Sequence, residues 1–428
     1  MNPKTSDKKR VAIIGAGFAG IAAAKALENK KNIEVHILDK RNHHLFQPLL
    51  YQVAMAGLNP SEISIPIRKL FGRSKNIFIN LTEVKDLDAQ QNKVFYDSNW
   101  HEFDYVILAC GARHSYFGNN HWEKFAPGLK NIQQATEIRR RVLTAFENAE
   151  KFADEKDQAP YLTFAIVGGG PTGVELAGGI AEMAKRTLKQ EFKQANLENT
   201  QVHLIEAGPR VLAAFPESLS HQAEKDLGDL GVKVLTNTHA SDLSGKGLQI
   251  GEDFLPCKTI IWAAGVEPES LVQKLNSNKT KSGKIKVKND LSLEENKNFF
   301  AVGDIAYLTN KNDEELPGIA PVALQQGEYL GKQIVAEVLK KKKRKDFKYF
   351  DKGIMATIGR SRAVLSSNGI KLHGFIAWFA WVFIHIVYLL RFRNKLFVLL
   401  QWSWSYFNFG NGARLIVSKK WRLYSDKD

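Results

Sequence analysis

The chain has 428 residues, 44% of them hydrophobic, which is the composition of a globular protein and too much for one ordinary core, so two or three domains are expected. Its two cysteines, Cys110 and Cys257, stand far apart in no paired motif, which excludes a disulfide framework and a Cys-ligated metal site and fits a reducing compartment. A formal net charge of +15 favours a polyanionic partner, and Trp378, Trp381, Trp402 and Trp404, interleaved with apolar and basic residues, point to an anionic bilayer rather than to nucleic acid.

The opening MNPKTSDKKR is polar and basic with no signal-peptide core, which keeps the body of the protein in the cytoplasm. Residues 11–17 are a short apolar run ending in glycines, 18–30 have helical character, and 33–39 alternate as a second strand. Residues 76–108 read as several short strands ending in an apolar run. A charged stretch, 148–160, leads into a second unit of the same kind: a strand over 161–167, a helix after the glycines, and a strand over 201–208. Further strands are expected over 259–265 and 296–304. The basic run 340–348, read as a solvated helix end, then separates the α/β body from the C-terminal region.

Two βαβ units mean two dinucleotide-binding folds. In the first, Gly15 permits the tight turn, Gly17 lets the backbone approach a pyrophosphate, and Gly20 lets helix and strand pack closely. Asp39 ends the next strand about 20 residues on, where a carboxylate can accept from the adenosine ribose. Gly168, Gly170 and Gly173 repeat the spacing around Pro171 and Thr172, and Glu206 ends the following strand. That acid comes late, and a polar helical stretch over 183–199 would absorb the excess by lengthening the crossover helix. An acid here bonds the ribose 2′-hydroxyl and repels a 2′-phosphate, which favours NADH over NADPH.

With these motifs, the segments HHLFQPLLYQVA (43–54), ACGA (109–112), GGGPTGVELAG (168–178), WAAGVEP (262–268), FAVGD (300–304), APVALQQG (320–327) and ATIGRSRAV (356–364) resemble, in the same order, those of bacterial type II NADH:quinone oxidoreductases, two-dinucleotide-binding-domain flavoproteins. The resemblance covers essentially the whole chain. It implies an α/β fold of two Rossmann-like domains, the NADH domain inserted in the FAD domain, plus a C-terminal membrane-binding helical region. The corresponding boundaries are 1–115 and 270–345 for FAD, 116–269 for NADH and 346–428 for the membrane region.

The resemblance further implies that Phe18, Ala19, Lys40, Ala109, Gly111, Gly303 and Ala323 belong to the FAD site, with Asp304 bonding the ribityl chain and Gln47 and Pro48 lining the ring. Gly265 joins the NADH site. A helix from Ala320 would aim its positive N-terminus at the pyrimidine end of the flavin. Glu175 would lie near the nicotinamide and flavin; its competing reading is a first-turn acid complementing the helix dipole. Lys40, Arg41, His43 and His44 read as solvated or phosphate-facing, and no His/Asp/Glu spacing suggests a metal. For the quinone, Gln325 is the leading candidate, with Gln47 and Tyr51 behind it. The family pattern Ala-Gln-x-Ala-x-Gln appears here as Ala320-Pro321-Val322-Ala323-Leu324-Gln325, without its first glutamine.

The expected reaction is hydride transfer from NADH to flavin, then two-electron reduction of a membrane quinone without proton pumping, since no chain of intramembrane acids exists. A ferredoxin or rubredoxin reductase and a flavin-bound membrane redox sensor or scaffold are the alternatives. Residues 372–390 are a 19-residue apolar run at the lower limit for a span. A second apolar segment, 396–409, is too short to span back, and one crossing would put Arg414, Lys419, Lys420 and Arg422 on the far side, against the charge rule. Two helices in the interface of the cytoplasmic face of a bacterial inner membrane, with Arg391, Arg393 and Lys395 toward anionic lipid, are therefore expected. A single spanning helix and a homodimer-interface helix are the alternatives for 372–390.

Overall fold

The computed structural model describes residues 8–408 and 412–417; Lys419, Lys420, Arg422 and the start of the N-terminal basic segment lie outside the described residues. The chain opens with β1 (Lys9–Ile14), α1 (Phe18–Leu27) and β2 (Ile33–Asp39), then short helices α2 (Leu50–Ala54) and α3 (Ile67–Phe71), β3 (Ile77–Leu81) and β4 (Tyr105–Leu108). Helix α4 (Ile132–Ala149) starts on Asn131, whose side chain accepts from the Gln134 N–H at 2.9 Å, and α5 (Glu155–Leu162) starts on Asp154 in the same way. The charged stretch 148–160 is thus mostly helix. The strand expected from Tyr161 begins only at Thr163, because Tyr161 and Leu162 complete α5.

Strand β5 (Thr163–Val167), helix α6 (Pro171–Glu182) and strand β6 (Gln201–Ile205) form the second βαβ unit. Helix α6 runs into a π-helical turn, Met183–Thr187, and there ends. The helical extension expected to 199 does not form. Backbone N–H groups of Lys193, Gln194 and Ala195 donate instead to the Glu150 carboxylate at 2.8–3.1 Å, which gives that segment a non-helical way to satisfy its donors. The chain continues through α7 (Glu217–Asp229), β7 (Val232–Leu235), β8 (Thr259–Trp262), α8 (Ser270–Lys274), β9 (Phe299–Ala301) and α9 (Ala320–Lys340), then β10 (Ile354–Gly359), β11 (Arg362–Ser367), β12 (Ile370–His373), α10 (Gly374–Tyr388) and α11 (Phe392–Asn408).

The chain forms two compact units. The first comprises Met1–Leu45, Ser64–Arg113 and Val266–Lys352, and the second Phe46–Ile63, His114–Gly265 and Gly353–Asp428. In the first, a parallel sheet of order β9-β4-β1-β2-β3 sets Val11 opposite Val35 and Tyr105. Val11, Ile13, Val35 and Ile37 face a core shared with α1 and α9, while Ala12, Ile14 and Leu38 face a second one, so both sheet faces are covered. Helices α1 and α9 approach closely: a Cβ added to Gly327 would stand 2.0 Å from the Ala19 carbonyl oxygen.

In the second unit a parallel sheet of order β7-β6-β5-β8 carries α6, and an antiparallel sheet, β10-β11-β12, precedes the two C-terminal helices. Helix α6 docks on β10 at Gly178, where an added Cβ would be 1.7 Å from the Ile358 carbonyl oxygen. The region expected to stand apart from residue 346 folds from Gly353 within this unit, as does 46–63. Leu372 and His373 of the long apolar run belong to β12, leaving α10 with 15 residues, about 22 Å of helix against a hydrocarbon layer of about 30 Å. Among the described residues no helix is long and apolar enough to cross a membrane.

Candidate active site

The first glycine turn joins β1 to α1. Gly15 has φ +102°, and an added Cβ would meet the Ala109 carbonyl oxygen at 2.4 Å; one on Gly20 would meet the Gly15 carbonyl oxygen at 1.9 Å. Gly17, the residue before α1, differs: it is extended, and an added Cβ would meet nothing within 4 Å. The fold therefore needs glycine at 15 and 20, whereas at 17 it leaves open space and sets no such demand. Asp39 accepts from the Ala16 N–H at 2.6 Å and the Arg41 N–H at 2.7 Å, which fixes its carboxylate at the turn. A cavity of about 280 Å³ opens there, lined by Gly15, Asp39, Lys40, Cys110 and Glu269, with Lys40 Nζ 3.2 Å from Glu269.

His44 is not solvated, contrary to the sequence reading. It is buried, its Nδ1–H donates to the Ala16 carbonyl at 2.8 Å, its ring meets Phe18 edge-on at 5.3 Å, and burial pulls its pKa down to about 4. The glycine turn is thus braced by a neutral imidazole. Ala109 and Gly111 follow β4, with Gly111 at φ +73°. Gly303 and Asp304 form a short turn after β9, and Gly303 lies against Ala19 and Ala323. Helix α9 starts at Ala320, as expected.

Gln325 does not stand open to a ligand: its amide nitrogen donates to the Phe350 carbonyl and its oxygen accepts from the Phe350 N–H, each at 2.9 Å. The next residue, Gln326, was missed from sequence. It is buried and accepts from the Gly303 N–H at 2.7 Å, holding the turn that carries Asp304. Its position on the buried stripe of α9, with Ala323, Gly327 and Leu330, is the signal that could have found it.

The second turn repeats the first. Gly168 has φ +109° and Gly173 would collide with the Gly168 carbonyl oxygen at 1.8 Å, while Gly170, extended at the N-cap of α6, has open space around an added Cβ. Pro171 takes the first helical position, where its missing N–H costs nothing, and Thr172 follows. Glu206 accepts from Gly169 and Gly208 N–H groups at 2.6 and 2.7 Å, leaving lone pairs for a further donor. A cavity of about 540 Å³ is lined by Gly170, Glu206, His239, Trp262 and Gly265, with Phe117 at its edge. Trp262 is fixed by donating to the Ser115 carbonyl at 2.9 Å and stacking on Tyr116. Phe117 and Tyr116 come from a segment with no motif, and Trp262, though it opens the quoted segment WAAGVEP, was given no role from sequence.

Glu175 is the fifth residue of α6, past the first turn, so the dipole-complementing reading does not apply. Its carboxyl accepts from the Thr357 backbone N–H, and burial, which disfavours the charged form, holds its pKa well above the usual carboxylate range. Tyr51 lies in the same unit: its hydroxyl meets Thr357 Oγ1 at 3.0 Å and accepts from the Gln52 amide at 3.0 Å, and Gln52 accepts from Trp402 Nε1 at 2.6 Å. Pro48 opens the short turn before α2, and Gln47 donates to the Lys130 carbonyl at 3.1 Å. Burial pushes the Cys110 and Cys257 thiols each up to about 12, so neither is a thiolate nucleophile at neutral pH.

The chain matches the family described as pyridine nucleotide-disulphide oxidoreductase over residues 9–327. It is 36% identical to the type II NADH:quinone oxidoreductase Ndh of Mycobacterium tuberculosis, over 96% of this chain and 91% of that one. With NdhA of the same organism the identity is 37%, over 96% and 90%. Its fold is similar to that of NDH2 from Plasmodium falciparum in complex with NADH, with a TM-score of 0.88 over 96% of this chain and 100% of that one, at 20% sequence identity. The chain belongs to the pyridine nucleotide-disulphide oxidoreductase family and, within it, to the type II NADH:quinone oxidoreductases.

Proposed function

We propose that FAD rests on the first glycine turn and NADH on the second, and that the chain takes a hydride from NADH and delivers two electrons to a membrane quinone. The observation that carries this reading is the pair of cradles at Gly17 and Gly170, open where the fold itself asks for no glycine. Asp39 and Glu206 hold the two ribose ends, and Glu206 selects NADH by repelling a 2′-phosphate. FAD, when bound, supplies the hydride acceptor and the two-electron relay. Lys40, Asp304 and the N-terminus of α9 fit its phosphates, ribityl chain and ring, in that order.

The overall reaction, NADH + H⁺ + quinone → NAD⁺ + quinol, consumes one proton. Glu175, whose protonated form burial favours, is the group that donates it to the quinone oxygen, and Tyr51 and Gln47 wall the quinone site. Gln325 drops behind them, since its amide is bound at both ends by Phe350.

Helices α10 and α11 hold the protein on the bilayer. Phe375, Phe379 and Phe383 on α10, and Phe392, Leu396, Leu400 and Trp404 on α11, are exposed at four-residue intervals, whereas Ala377, Trp381, His385 and Val398 are buried. Such a face buries into acyl chains, with Arg391 between the helices and Arg393 in the first turn of α11 facing anionic headgroups. Lys395 instead caps α10, donating to the Val387 carbonyl at 2.7 Å. Arg414 does not leave across the membrane: it pairs with Glu191 at 2.6 Å.

The test is a spectrum of the purified protein before and after anaerobic NADH, then after a quinone. Flavin absorbance that bleaches with NADH and returns with quinone is expected; bleaching by NADH without return would leave only the first half of the reading. Phe379→Asp with Phe383→Asp is expected to abolish co-sedimentation with anionic vesicles while leaving the NADH step unchanged. Retained vesicle binding would remove these helices from the bilayer.

A further inference from the structure

The segment ATIGR, 356–360, is accounted for by neither cofactor, yet it handles both acids of α6. Thr357 gives its backbone N–H to Glu175, and Arg360 gives its own to Glu182 at 2.7 Å. Glu175 and Glu182 are seven residues apart, two turns or about 10 Å along one face of α6. Between them lies a cavity of about 180 Å³, lined by both acids together with Tyr51, Thr187, Arg186 and Arg360. That volume has room for several waters, and although Met55, Met183 and the tryptophans of the C-terminal helices make one side apolar, the carboxyls, guanidinium groups and hydroxyls on the other give water its partners. The Arg186 end is exposed, so the cavity has a mouth beside Glu182.

We propose that Glu182 is the entrance acid of a water-filled path that carries a proton from solution to Glu175. The inference rests on the reading of Glu175 as proton donor to the quinone. Glu175 loses its proton as the quinone O–H bond forms. The Glu182 O–H then breaks, the intervening waters hand the proton along, the Glu175 O–H is restored, and Glu182 takes a new proton from solution. One proton enters per quinol, which matches the one that the overall reaction consumes.

The surroundings suit that role. Burial raises the Glu182 carboxyl from its ordinary value, while the Arg360 N–H and the charges of Arg186, Arg360 and Arg362 work in the opposite direction. Arg362 is itself drawn to Asp229 at 3.1 Å and Asp226 at 3.7 Å. From the 46–63 segment the facing group is Tyr51, whose phenol is kept protonated by burial. The C-terminal helices contribute uncharged tryptophans, Trp378, Trp381 and Trp402. An acid balanced in this way both takes up and releases a proton readily.

Glu182→Gln keeps an oxygen that accepts from the Arg360 N–H, so folding and FAD content should match the parent. With saturating NADH and a soluble short-chain quinone, its turnover should fall about tenfold or more near pH 8.5 and much less near pH 6, where protons are plentiful. NADH bleaching of the flavin should be unchanged. Imidazole, a small diffusible proton carrier, should restore turnover, and Glu182→Asp should retain most of it. A parental pH profile with no response to imidazole would overturn the entrance role. Glu175→Gln, measured in parallel, separates the two ideas: normal quinone kinetics there would remove the donor on which the path depends, whereas a slow Glu175→Gln beside a parental Glu182→Gln would refute the path alone.

Discussion

The two βαβ units carry the same turn with different consequences. At each, one glycine has φ above +100°, another would strike the turn's own carbonyl within 2 Å, and an acid at the end of the next strand accepts two backbone N–H groups. The helices that follow diverge. Helix α1, FAGIAAAKAL, has no acid and lies flat on α9 through Gly327 and Gly331, so it is scaffold for the first turn. Helix α6 carries Glu175 and Glu182 on the face that meets β10, so in the function proposed above it adds proton chemistry to the second turn. The glycine signature therefore specifies where a pyrophosphate goes. What the helix does beyond that depends on the element packed against it.

The largest effect should come from breaking these helix contacts. Ala at Gly178 would drive a Cβ to 1.7 Å from the Ile358 carbonyl, and Ala at Gly327 to 2.0 Å from that of Ala19; both obstacles are backbone. Each variant should lose about 3 kcal/mol or more of stability, read as urea midpoint and Tm. Gly327→Ala should also shed FAD, and Gly178→Ala should slow the quinone step in whatever fraction folds. Parental stability in either would mean that the helices do not meet as closely as described.

A smaller, more selective effect is expected at the open glycines. Gly17 and Gly170 are extended, with φ −70° and −72°, so alanine fits the free protein and should change its stability by no more than about 1 kcal/mol. The added methyl occupies space that a pyrophosphate needs. Gly17→Ala should weaken FAD retention about ten- to a hundredfold and leave NADH binding alone; Gly170→Ala should raise the KM for NADH by a similar factor with FAD content intact. Equal effects of both variants on both ligands would undo the assignment of one nucleotide to each turn.

Much of this was legible in the chain. Strand–glycine–helix order and the positions of Asp39 and Glu206 follow from periodicity and short-range rules, because these contacts are local or set by adjacent strands, while the start of α9 was implied by the family resemblance. Long-range pairing was not legible. Nothing near His44 announces that its ring nitrogen serves the Ala16 carbonyl, and nothing near Glu150 announces that its carboxylate will collect three N–H donors from 193–195 and stop a helix. The preference for Gln325 over Gln326 came from matching a motif before asking which face of α9 is buried. Helical periodicity favours Gln326.

Histidines sharpen the comparison of the units further. His44 in the first unit, and His114 and His385 in the second, are buried, and burial lowers each pKa to about 4 from an ordinary 6.5. Because the unfolded chain takes up protons first, the stability tied to each is complete above about pH 6.5 and is lost as pH falls toward about 4. Near pH 5.5 each should cost about 1.4 kcal/mol relative to neutral pH. Burial also lowers His36 and His43 in the first unit and His203 in the second, so the acid response of neither unit rests on one imidazole alone. His44→Gln should flatten the acid response of the first unit only. An unchanged acid response of the first unit in His44→Gln would show that this imidazole does not contribute to it.

The smallest effect should belong to Tyr51, and its smallness is informative. Its hydroxyl lies within hydrogen-bond reach of Thr357 Oγ1, whose backbone N–H serves Glu175, so phenol and carboxyl are rival proton donors. Burial raises the phenol above its ordinary value, which makes it a much weaker acid than a carboxyl beside a path to solvent. What Tyr51 does contribute is its ring, set against Trp381 with centroids 6.3 Å apart, and Phe retains that ring. Tyr51→Phe should accordingly slow quinone reduction by less than about threefold, equivalent to roughly 0.6 kcal/mol, with an unaltered pH profile and unaltered NADH bleaching. Tyr51→Ala, which removes the wall, should raise the KM for quinone. If Tyr51→Phe instead matched the loss in Glu175→Gln and shifted the pH optimum, the proton would come from the phenol, and α6 would be scaffold in the second unit just as α1 is in the first.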